Sequence, residues 1–339
     1  MSRLQFCGIG DLHLDGRISK FIPEANSYIL SECQKVANHA RRNGIGLLVY
    51  YGDICDTPVL SAEGLSLLLD YFVLNQDLKH ILILGNHDFE STEKHSLQLL
   101  MKIISLGFLS NVKVIEKPTT LYRKQGTPLR LLPWPHFTVE KDCLNVIHVE
   151  TAGSKWDMGR VIDSEHKTSA HCLGGHLHTH QVIGKKENIH YSGTLYQTSF
   201  GEKYEKYFHQ VEWDGVKPVV ESIPNKAKYE LVNYPVHNLQ DLTKIEVNPF
   251  KLYKVFVNSG LELDASTFDH IPNVVRINSF KTKAELNNLI SEELMLADSS
   301  TEVTQFTVME ALESFIDKSS ADKSVVDRAK TLANSLLIK

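Results

Sequence analysis

Residues 4–15, LQFCGIGDLHLD, pass from an apolar run directly into a loop that begins with glycine and aspartate. The same arrangement returns in GLLVYYGD at 46–53 and in HILILGNHD at 80–88. Each apolar run has the length of a buried strand. Helical patterns follow the three runs, at residues 23–42, 61–74 and 93–106. Strands and helices in alternation predict a parallel sheet built from right-handed crossovers.

The strands lie closer together from Val112 onward, in NVKVIE, PLRLLPWP, LNVIHVE, AHCLGG, KENIHYSGT and KYFHQVEWDG. This spacing predicts a second sheet that packs on the first. The fold class is therefore α/β, a two-sheet sandwich flanked by helices. We expect residues 1–223 to form this catalytic domain.

Two smaller regions are predicted after the sandwich. Residues 224–285 are expected to form an αβ capping domain with the strands LYKVFVNSG and NVVRINSF. Residues 286–339 carry apolar side chains at helical spacing on both sides of the polar segment DKSSADKS, which predicts a C-terminal helical hairpin.

Polar side chains cluster where the predicted strands end. They are Asp11 and His13 in GDLHLD, Asp53 and Asp56 in GDICD, Asn86, His87 and Asp88 in GNHD, and His148 in VIHVE. A single residue of this kind is usually a helix cap or a satisfied polar group in the core. Ligands bind at the carboxyl ends of strands in open α/β sheets, so these loops are expected to meet. Because so many buried polar groups are costly to desolvate, together they predict a centre for two divalent cations.

The stretch GGHLHTH, from Gly174 to His180, adds three histidines at alternate positions. If the chain stays extended after the glycines, alternate side chains point the same way. His176 and His178 then reach neighbouring metal sites while Leu177 faces the core. His180 would lie about 6–7 Å beyond His178 at the rise of a strand, so we expect it at the rim without a ligand role.

Composition limits the class of protein. The net charge of the 339-residue chain is −5, which argues against binding nucleic acid by bulk charge alone. The apolar runs are far shorter than the roughly 20 residues that span a bilayer, and the first residues lack a signal-peptide pattern. We therefore expect a soluble cytoplasmic protein without a membrane partner. The five cysteines, none spaced as CxxC, are expected to be reduced and to act as small hydrophobes.

The ordered motifs GDLHLD, GDICD, GNHD, HVE and GGHLH resemble those of the calcineurin-like metallophosphoesterases. Within that superfamily the chain is similar to SbcD-type DNA double-strand-break repair nuclease subunits, including the recombination nuclease subunits of large bacteriophages. The segment YSGTLYQTSFGEKYEKYF is similar to the one that follows the last motif in that branch. The motifs that carry the resemblance lie within about residues 1–220. Beyond them the resemblance rests on architecture, a small capping domain followed by a helical tail.

The resemblance implies a role for each polar residue of the centre. One ion would be bound by Asp11, His13 and His178, and the other by Asn86, His148 and His176, with Asp53 bridging both. His87, held by Asp88, would be the catalytic histidine that meets the scissile phosphate. Asp56 stands where some members of the family have a histidine, and we expect its carboxylate to support a ligand.

The chemistry of the ligand set agrees with this assignment. Two dications bring about +4 and the carboxylates of Asp11 and Asp53 about −2, so the centre keeps roughly +2 for a phosphate. Imidazole and carboxylate ligands without a thiolate suit manganese, iron or zinc. The resemblance favours manganese.

The resemblance implies a metal-dependent deoxyribonuclease, a two-metal DNA phosphodiesterase with exonuclease or endonuclease activity. It would be the nuclease subunit of a complex with a coiled-coil ATPase of SbcC type, in DNA recombination, repair or end processing, and would form a homodimer. One alternative is a phosphomonoesterase or cyclic-nucleotide phosphodiesterase with the same centre, which has little use for a cap and a helical tail. The other is a non-catalytic scaffold, against which the intact ligand set argues.

One segment bears on a nucleic-acid surface. FGEKYEKYF alternates Lys203 and Lys206 with Tyr204 and Tyr207. The pattern predicts either a DNA-contacting surface or an ordinary solvated one.

Overall fold

Two six-stranded sheets form the centre of the computed structural model, which describes residues 3–289 apart from 92–93, 158, 185, 262, 264, 269–270 and 284. The two-sheet α/β class predicted from the sequence is confirmed. The helical hairpin predicted for residues 286–339 lies almost wholly outside the described residues.

The first sheet contains the three strands that precede the glycine motifs. Its strands are β1 (Leu4–Ile9), β2 (Leu47–Tyr50), β3 (Lys79–Ile83), β6 (Val112–Ile115), β13 (Lys206–Trp213) and β14 (Pro218–Asn225). The order is β14-β13-β1-β2-β3-β6, and β1, β2, β3 and β6 run parallel. Ile9 lies beside Tyr50, which lies beside Leu82, so the loops that follow β1, β2 and β3 start at one level.

The second sheet brings the two histidine motifs to the same edge of the molecule. Its strands are β7 (Thr119–Leu121), β8 (Leu129–Leu132), β9 (Leu144–Ile147), β10 (Cys172–Gly174), β11 (Gln181–Ile183) and β12 (Ile189–Tyr191). The order is β11-β12-β10-β9-β8-β7, with β8, β9, β10 and β12 parallel. Ile147 lies beside Gly174, so His148 and Gly175 leave the sheet together.

Strands β6, β13 and β14 belong to the first sheet, whereas the sequence spacing placed NVKVIE and KYFHQVEWDG in the second. β13 pairs antiparallel with β1, with Trp213 opposite Leu4. The Trp213 ring is buried between the sheets and its Nε1–H donates to the Pro128 carbonyl at 3.1 Å. Pairing with β1 covers a sheet edge that the parallel strands leave open, and strand spacing alone does not reveal that choice.

The three predicted helices are α1 (Ala25–Arg42), α2 (Ala62–Leu74) and α3 (Gln98–Ser105). The first two match the predicted ranges, and Ser61 caps α2 by accepting the Gly64 N–H at 3.0 Å. α3 begins later than predicted because β4 (Phe89–Ser91) and β5 (Lys94–His95) form a hairpin before it. Ser96 is bonded through its backbone N–H and its hydroxyl to Asp88, which holds this stretch away from helix geometry.

Apolar side chains fill both layers of the sandwich. Between the sheets pack residues such as Phe6, Val49 and Ile83 of the first sheet and Leu131 and Leu173 of the second. A larger cluster lies between the first sheet and the helices. All five cysteines are buried, which agrees with their expected role as small hydrophobes.

A third, parallel sheet lies within the region predicted as a capping domain. It contains β15 (Glu230–Val236), β16 (Lys251–Asn258) and β17 (Val274–Phe280), and the short α4 (Leu239–Leu242) follows β15. The sequence indicated the second and third strands. The sequence did not indicate β15, whose Pro235 is tolerated because β15 lies at the edge of the sheet.

Among the described residues no helix combines the length and apolar character needed to cross a bilayer.

Candidate metal centre

Three residues of the predicted centre have a left-handed backbone. The angle φ is 51° at His13, 47° at Asp53 and 77° at His176. Such angles are uncommon outside glycine and cost about 1–3 kcal/mol each. Neighbouring contacts enforce them: the N–H groups of Leu12 and His13 both donate to the Asp53 carbonyl, at 2.8 and 3.0 Å. The fold holds backbone strain where the polar loops meet.

The conformation of His176 corrects one step of the sequence analysis. β10 ends at Gly174 and the left-handed residue turns the chain, so GGHLHTH is not an extended run. The His176 N–H donates to Asp11 Oδ1 at 3.0 Å, which fixes the turn. His176 and His178 both face the polar centre while Leu177 packs in the core, but a turn places them there instead of strand alternation.

Asp11, His13 and His178 each bring one ligand atom within 4.8 Å of the other two. The Nε2 atoms of His13 and His178 lie 3.0 Å apart, and Asp11 Oδ2 lies 4.0 Å from His178 Nε2. This Oδ2 atom is buried and accepts no hydrogen bond from the described residues. A buried carboxylate oxygen without a donor, facing two imidazole nitrogens, is costly alone and fits a divalent ion as its partner.

A second group forms beside the first. Asn86 Oδ1 lies 3.1 Å from His148 Nε2 and 2.8 Å from His176 Nδ1. The His148 Nδ1–H donates to the Tyr51 carbonyl at 2.6 Å, which leaves Nε2 with its lone pair toward the centre. Ligand atoms of Asp53, His148 and His176 also lie within 4.8 Å of one another. This donor set suits another divalent ion.

Asp53 lies between the two groups. Its Oδ2 is 3.1 Å from His148 Nε2 and 3.9 Å from His13 Nε2, and its Oδ1 accepts the His87 backbone N–H at 2.9 Å. Burial alone would raise the pKa of Asp53, but His148, with His13 and His87, lowers it well below the usual range. A charged carboxylate in reach of both groups has the position that a bridging ligand requires.

Gly52 and Gly85 lie where a side chain would clash with Asp53 or His148. A Cβ atom on Gly85 would lie 2.1 Å from Asp53 Oδ1 and 2.6 Å from His148 Nε2. A Cβ atom on Gly52, where φ is +104°, would lie 2.1 Å from His148 Nδ1. The glycine before each polar residue is therefore explained by the close approach of another loop.

The fold and the ligand set agree with a match to one protein family. A model of the calcineurin-like phosphoesterases matches residues 4–180 of the 339. The chain belongs to the calcineurin-like phosphoesterase family. A search of curated proteins finds no match. One solved structure, titled "GAP50 the anchor in the inner membrane complex of Plasmodium", aligns with 84% of this chain and 99% of that chain, at 12% identity and a TM-score of 0.42. That likeness is too distant to carry an argument about function.

Asp88 does not hold His87 in this phosphoesterase, contrary to the prediction. In the described part of the chain its buried carboxylate accepts bonds from the N–H groups of Ile54 (3.2 Å), Cys55 (3.0 Å) and Gly85 (2.9 Å) and from the Ser96 hydroxyl (2.9 Å). With four donors the side chain turns into the protein, where it ties the loop after β2 to the loop after β3. The buried Asp88 carboxylate therefore positions the two loops.

His87 is held by Asp56 instead. The His87 Nδ1–H donates to the Asp56 backbone carbonyl at 2.9 Å. Asp56 Oδ1 also lies 2.9 Å from His13 Nδ1, so this carboxylate supports a candidate ligand as the sequence analysis expected. Ligand atoms of His13, Asp53 and His87 lie within 4.8 Å of one another, which puts His87 at the edge of the centre. Because Nδ1 is occupied, Nε2 is the His87 nitrogen available to a substrate.

Groups that the sequence motifs did not indicate hold His178 at Nδ1, on the side away from His13. Its Nδ1 lies 3.0 Å from Glu202 Oε1, and Glu202 Oε2 lies 2.5 Å from Lys206 Nζ. The Glu202 and Lys206 side chains are only 1% and 3% exposed, so the ion pair is desolvated. Thr198 adds its hydroxyl and its N–H as donors to Glu202. Burial would lower the pKa of His178, but the Glu202 carboxylate, together with Asp157 and Asp11, raises it to about 10. The contact of Glu202 with Nδ1 leaves Nε2 as the nitrogen that faces His13.

Lys206 is therefore excluded from the predicted DNA surface. Its ammonium points inward, and Tyr207 is half-buried with its ring 4.6 Å from that of His180. Only Lys203 and Tyr204 of the four alternating residues are exposed. The sequence does show glutamate four residues before Lys206, but nothing local indicates that the pair is buried behind a ligand.

Other contacts complete the surroundings of the histidine motif. His176 Nε2 lies 3.3 Å from Glu150 Oε2, so the last residue of the HVE motif has a supporting place that the sequence analysis did not assign. His180 lies outside the ligand groups of the described chain, with Nε2 2.8 Å from the Ser222 hydroxyl. That position agrees with the rim location expected for it.

Replacing Glu202 with glutamine is expected to weaken manganese binding at the group of Asp11, His13 and His178 by about 10–100-fold, because the Nδ1–H of His178 loses its charged acceptor. The change also leaves Lys206 buried without a counter-charge, so the free energy of unfolding should fall by about 3–5 kcal/mol. Titration calorimetry with Mn²⁺ and urea unfolding measure the two effects.

The double variant Glu202→Gln/Lys206→Met is the matched control for this prediction. Removing the buried cation should restore much of the unfolding free energy while manganese affinity stays low. Manganese affinity equal to wild type in Glu202→Gln would contradict the orienting role of Glu202.

Proposed function

We propose that the protein is a metal-dependent DNA phosphodiesterase, the nuclease subunit of a complex with a coiled-coil ATPase. The hydrolase part is carried by one observation, the two ligand groups that share Asp53 within a calcineurin-like phosphoesterase. The DNA part is supported by the ordered motifs and by the segment from Tyr191 to Phe208, which resemble those of SbcD-type nucleases. We further propose that it works in the cytoplasm, where its cysteines stay reduced, and that it forms a homodimer.

The residues of the centre have distinct tasks in this proposal. The ions would be held by Asp11, His13 and His178 on one side, by Asn86, His148 and His176 on the other, and by Asp53 between them. Divalent ions in such a centre, for which we propose manganese, supply Lewis-acid activation of the phosphoryl group and of a water molecule. His87 is oriented through Nδ1 by the Asp56 carbonyl, so Nε2 is the atom that would meet an oxygen of the phosphate as a general acid or base.

The proposal is tested by incubating purified protein and Mn²⁺ with linear duplex DNA, single-stranded DNA and 4-nitrophenyl phosphate, with and without the ATPase subunit. Cleavage of DNA that depends on Mn²⁺ and exceeds hydrolysis of the monoester is the expected result. Turnover of the monoester alone would favour the phosphomonoesterase alternative. Manganese binding without any turnover would favour the scaffold alternative.

The predicted helical hairpin is expected to bind the ATPase, since its apolar stripes suit helix-in-groove recognition of a coiled coil. Truncation after about Ser300 should leave a folded, metal-binding chain that no longer co-purifies with the ATPase. ATP-dependent action on duplex DNA should fall while metal-dependent cleavage of a simple phosphodiester persists. Calorimetry that finds unchanged affinity of the truncated chain for the ATPase would show that docking lies elsewhere.

A further inference from the structure

A cleft adjoins the candidate metal centre on the side of Asp11, His13 and His178. Its lining includes His13, Asp56 and His178 of the centre together with Arg17, Thr198 and Ser199. Arg17 is the only arginine or lysine among the lining residues of the described chain. The cleft therefore joins a cationic side chain to the place where the ions would be held.

The structure fixes the walls of this cleft. Arg17 begins a short 3₁₀ helix, Arg17–Lys20, which follows directly on the GDLHLD loop. Thr198 is anchored by its two bonds to buried Glu202, and the Glu202 N–H donates to the Ser199 carbonyl at 3.4 Å. The same carboxylate that orients His178 thus also positions Thr198 in the wall of the cleft.

Charge makes the cleft suitable for an anion. The Arg17 guanidinium carries a permanent positive charge and five N–H donors in a planar fork. Arg17 lines the same cleft as Asp56 and His13, so its charge lies at the edge of the centre. Ser199 adds a hydroxyl that can donate to an oxygen. Guanidinium and hydroxyl donors together match a phosphate.

We propose that this cleft binds the phosphate adjacent to the scissile one, so that the centre prefers substrates with consecutive phosphates along a strand. The inference rests on the proposed function, because an anion in the cleft belongs to the same molecule as the phosphate at the centre. It assigns Arg17 as a specificity-determining residue. The ligand class is a dinucleotide or longer strand, in preference to a mononucleotide or an aryl phosphate.

The test is a binding measurement on manganese-loaded protein that does not depend on cleavage. Calorimetry compares thymidine 3′,5′-bisphosphate, which carries two consecutive phosphates of a strand, with thymidine 5′-monophosphate. Wild type should bind the bisphosphate about tenfold more tightly, and Arg17→Ala should remove that preference while its affinity for the monophosphate stays nearly unchanged. Arg17→Lys, which keeps the charge but not the fork, should recover part of it.

Lys20→Ala is the matched control, since Lys20 is an exposed cation on the same short helix and does not line the cleft. It should leave the ratio of the two affinities unchanged, and Mn²⁺ titration should show intact metal binding in every variant. An equal ratio in wild type and Arg17→Ala, or no preference in wild type, overturns the inference. A different outcome is that Arg17→Ala loses the preference while wild type does not cleave DNA. That result would reject the proposed function and retain the phosphate-binding role of the cleft.

Discussion

Replacing His178 with alanine is expected to lower manganese-dependent phosphodiester hydrolysis by at least about a thousandfold, roughly 4 kcal/mol of transition-state stabilisation. The side chain faces Asp11 and His13, and its loss removes one of three donors from that group. It also leaves buried Glu202 without its imidazole partner. Steady-state kinetics on an aryl phosphodiester, with Mn²⁺ titration, measure the loss of turnover and of metal affinity.

His180→Ala is the matched control, two residues further along the same motif. This histidine contacts Tyr207 and Ser222 and lies outside the ligand groups of the described chain, so most of the activity should remain. The melting temperature of both variants separates a catalytic loss from unfolding. If the two substitutions reduced hydrolysis equally, the assignment of His178 as a ligand and His180 as a rim residue would fail.

Replacing His87 with alanine is expected to lower kcat by about 100–10,000-fold, the range for loss of a positioned acid or base, with both ions still bound. Its Nδ1 is engaged by the Asp56 carbonyl, and its ring lies at the edge of the centre with Nε2 available. Elemental analysis of bound manganese, beside kinetics on the same aryl phosphodiester, distinguishes a role at the phosphate from a role as a ligand.

His136→Ala provides the comparison for His87, because His136 is exposed and is not among the candidate ligands of the described chain. It should match wild type in both kcat and manganese content. Loss of one manganese ion in His87→Ala would place His87 among the metal ligands, an arrangement that its proximity to His13 and Asp53 makes worth testing.

The metal centre could be predicted from the sequence because the patterns that indicate it lie within short segments of the chain. Each strand of the first half is an apolar run, and the polar residue comes next to a glycine, as in Gly52 followed by Asp53. The rule that loops at the carboxyl ends of parallel strands meet then brings Asp11, Asp53 and Asn86 together without any knowledge of the packing. The structure places these side chains at one edge of the sandwich, with ligand atoms a few ångströms apart.

The residues that orient the side chains of the centre could be identified only from the tertiary structure. The prediction that Asp88 holds His87 rested on their adjacency in GNHD. The Asp88 carboxylate instead accepts two N–H groups of the loop after β2, the N–H of Gly85 in its own loop and the hydroxyl of Ser96, which follows β5. Glu202 lies 24 residues from His178 and looks like one charge in a polar segment until β13 is placed against β1. Side-chain direction in a loop depends on which donors the fold brings near, and sequence distance carries no record of that.

The sequence by itself therefore determined the kinds of ligand, their order and the edge of the sheet at which they stand, since strand periodicity and glycine turns are properties of short segments. The tertiary structure decided that β13 and β14 complete the first sheet, that His176 sits in a left-handed turn, and that Lys206 is buried beneath Glu202. Each of these depends on contacts between segments far apart in the chain, where the cost of burying a charge or straining a residue is set by what packs against it.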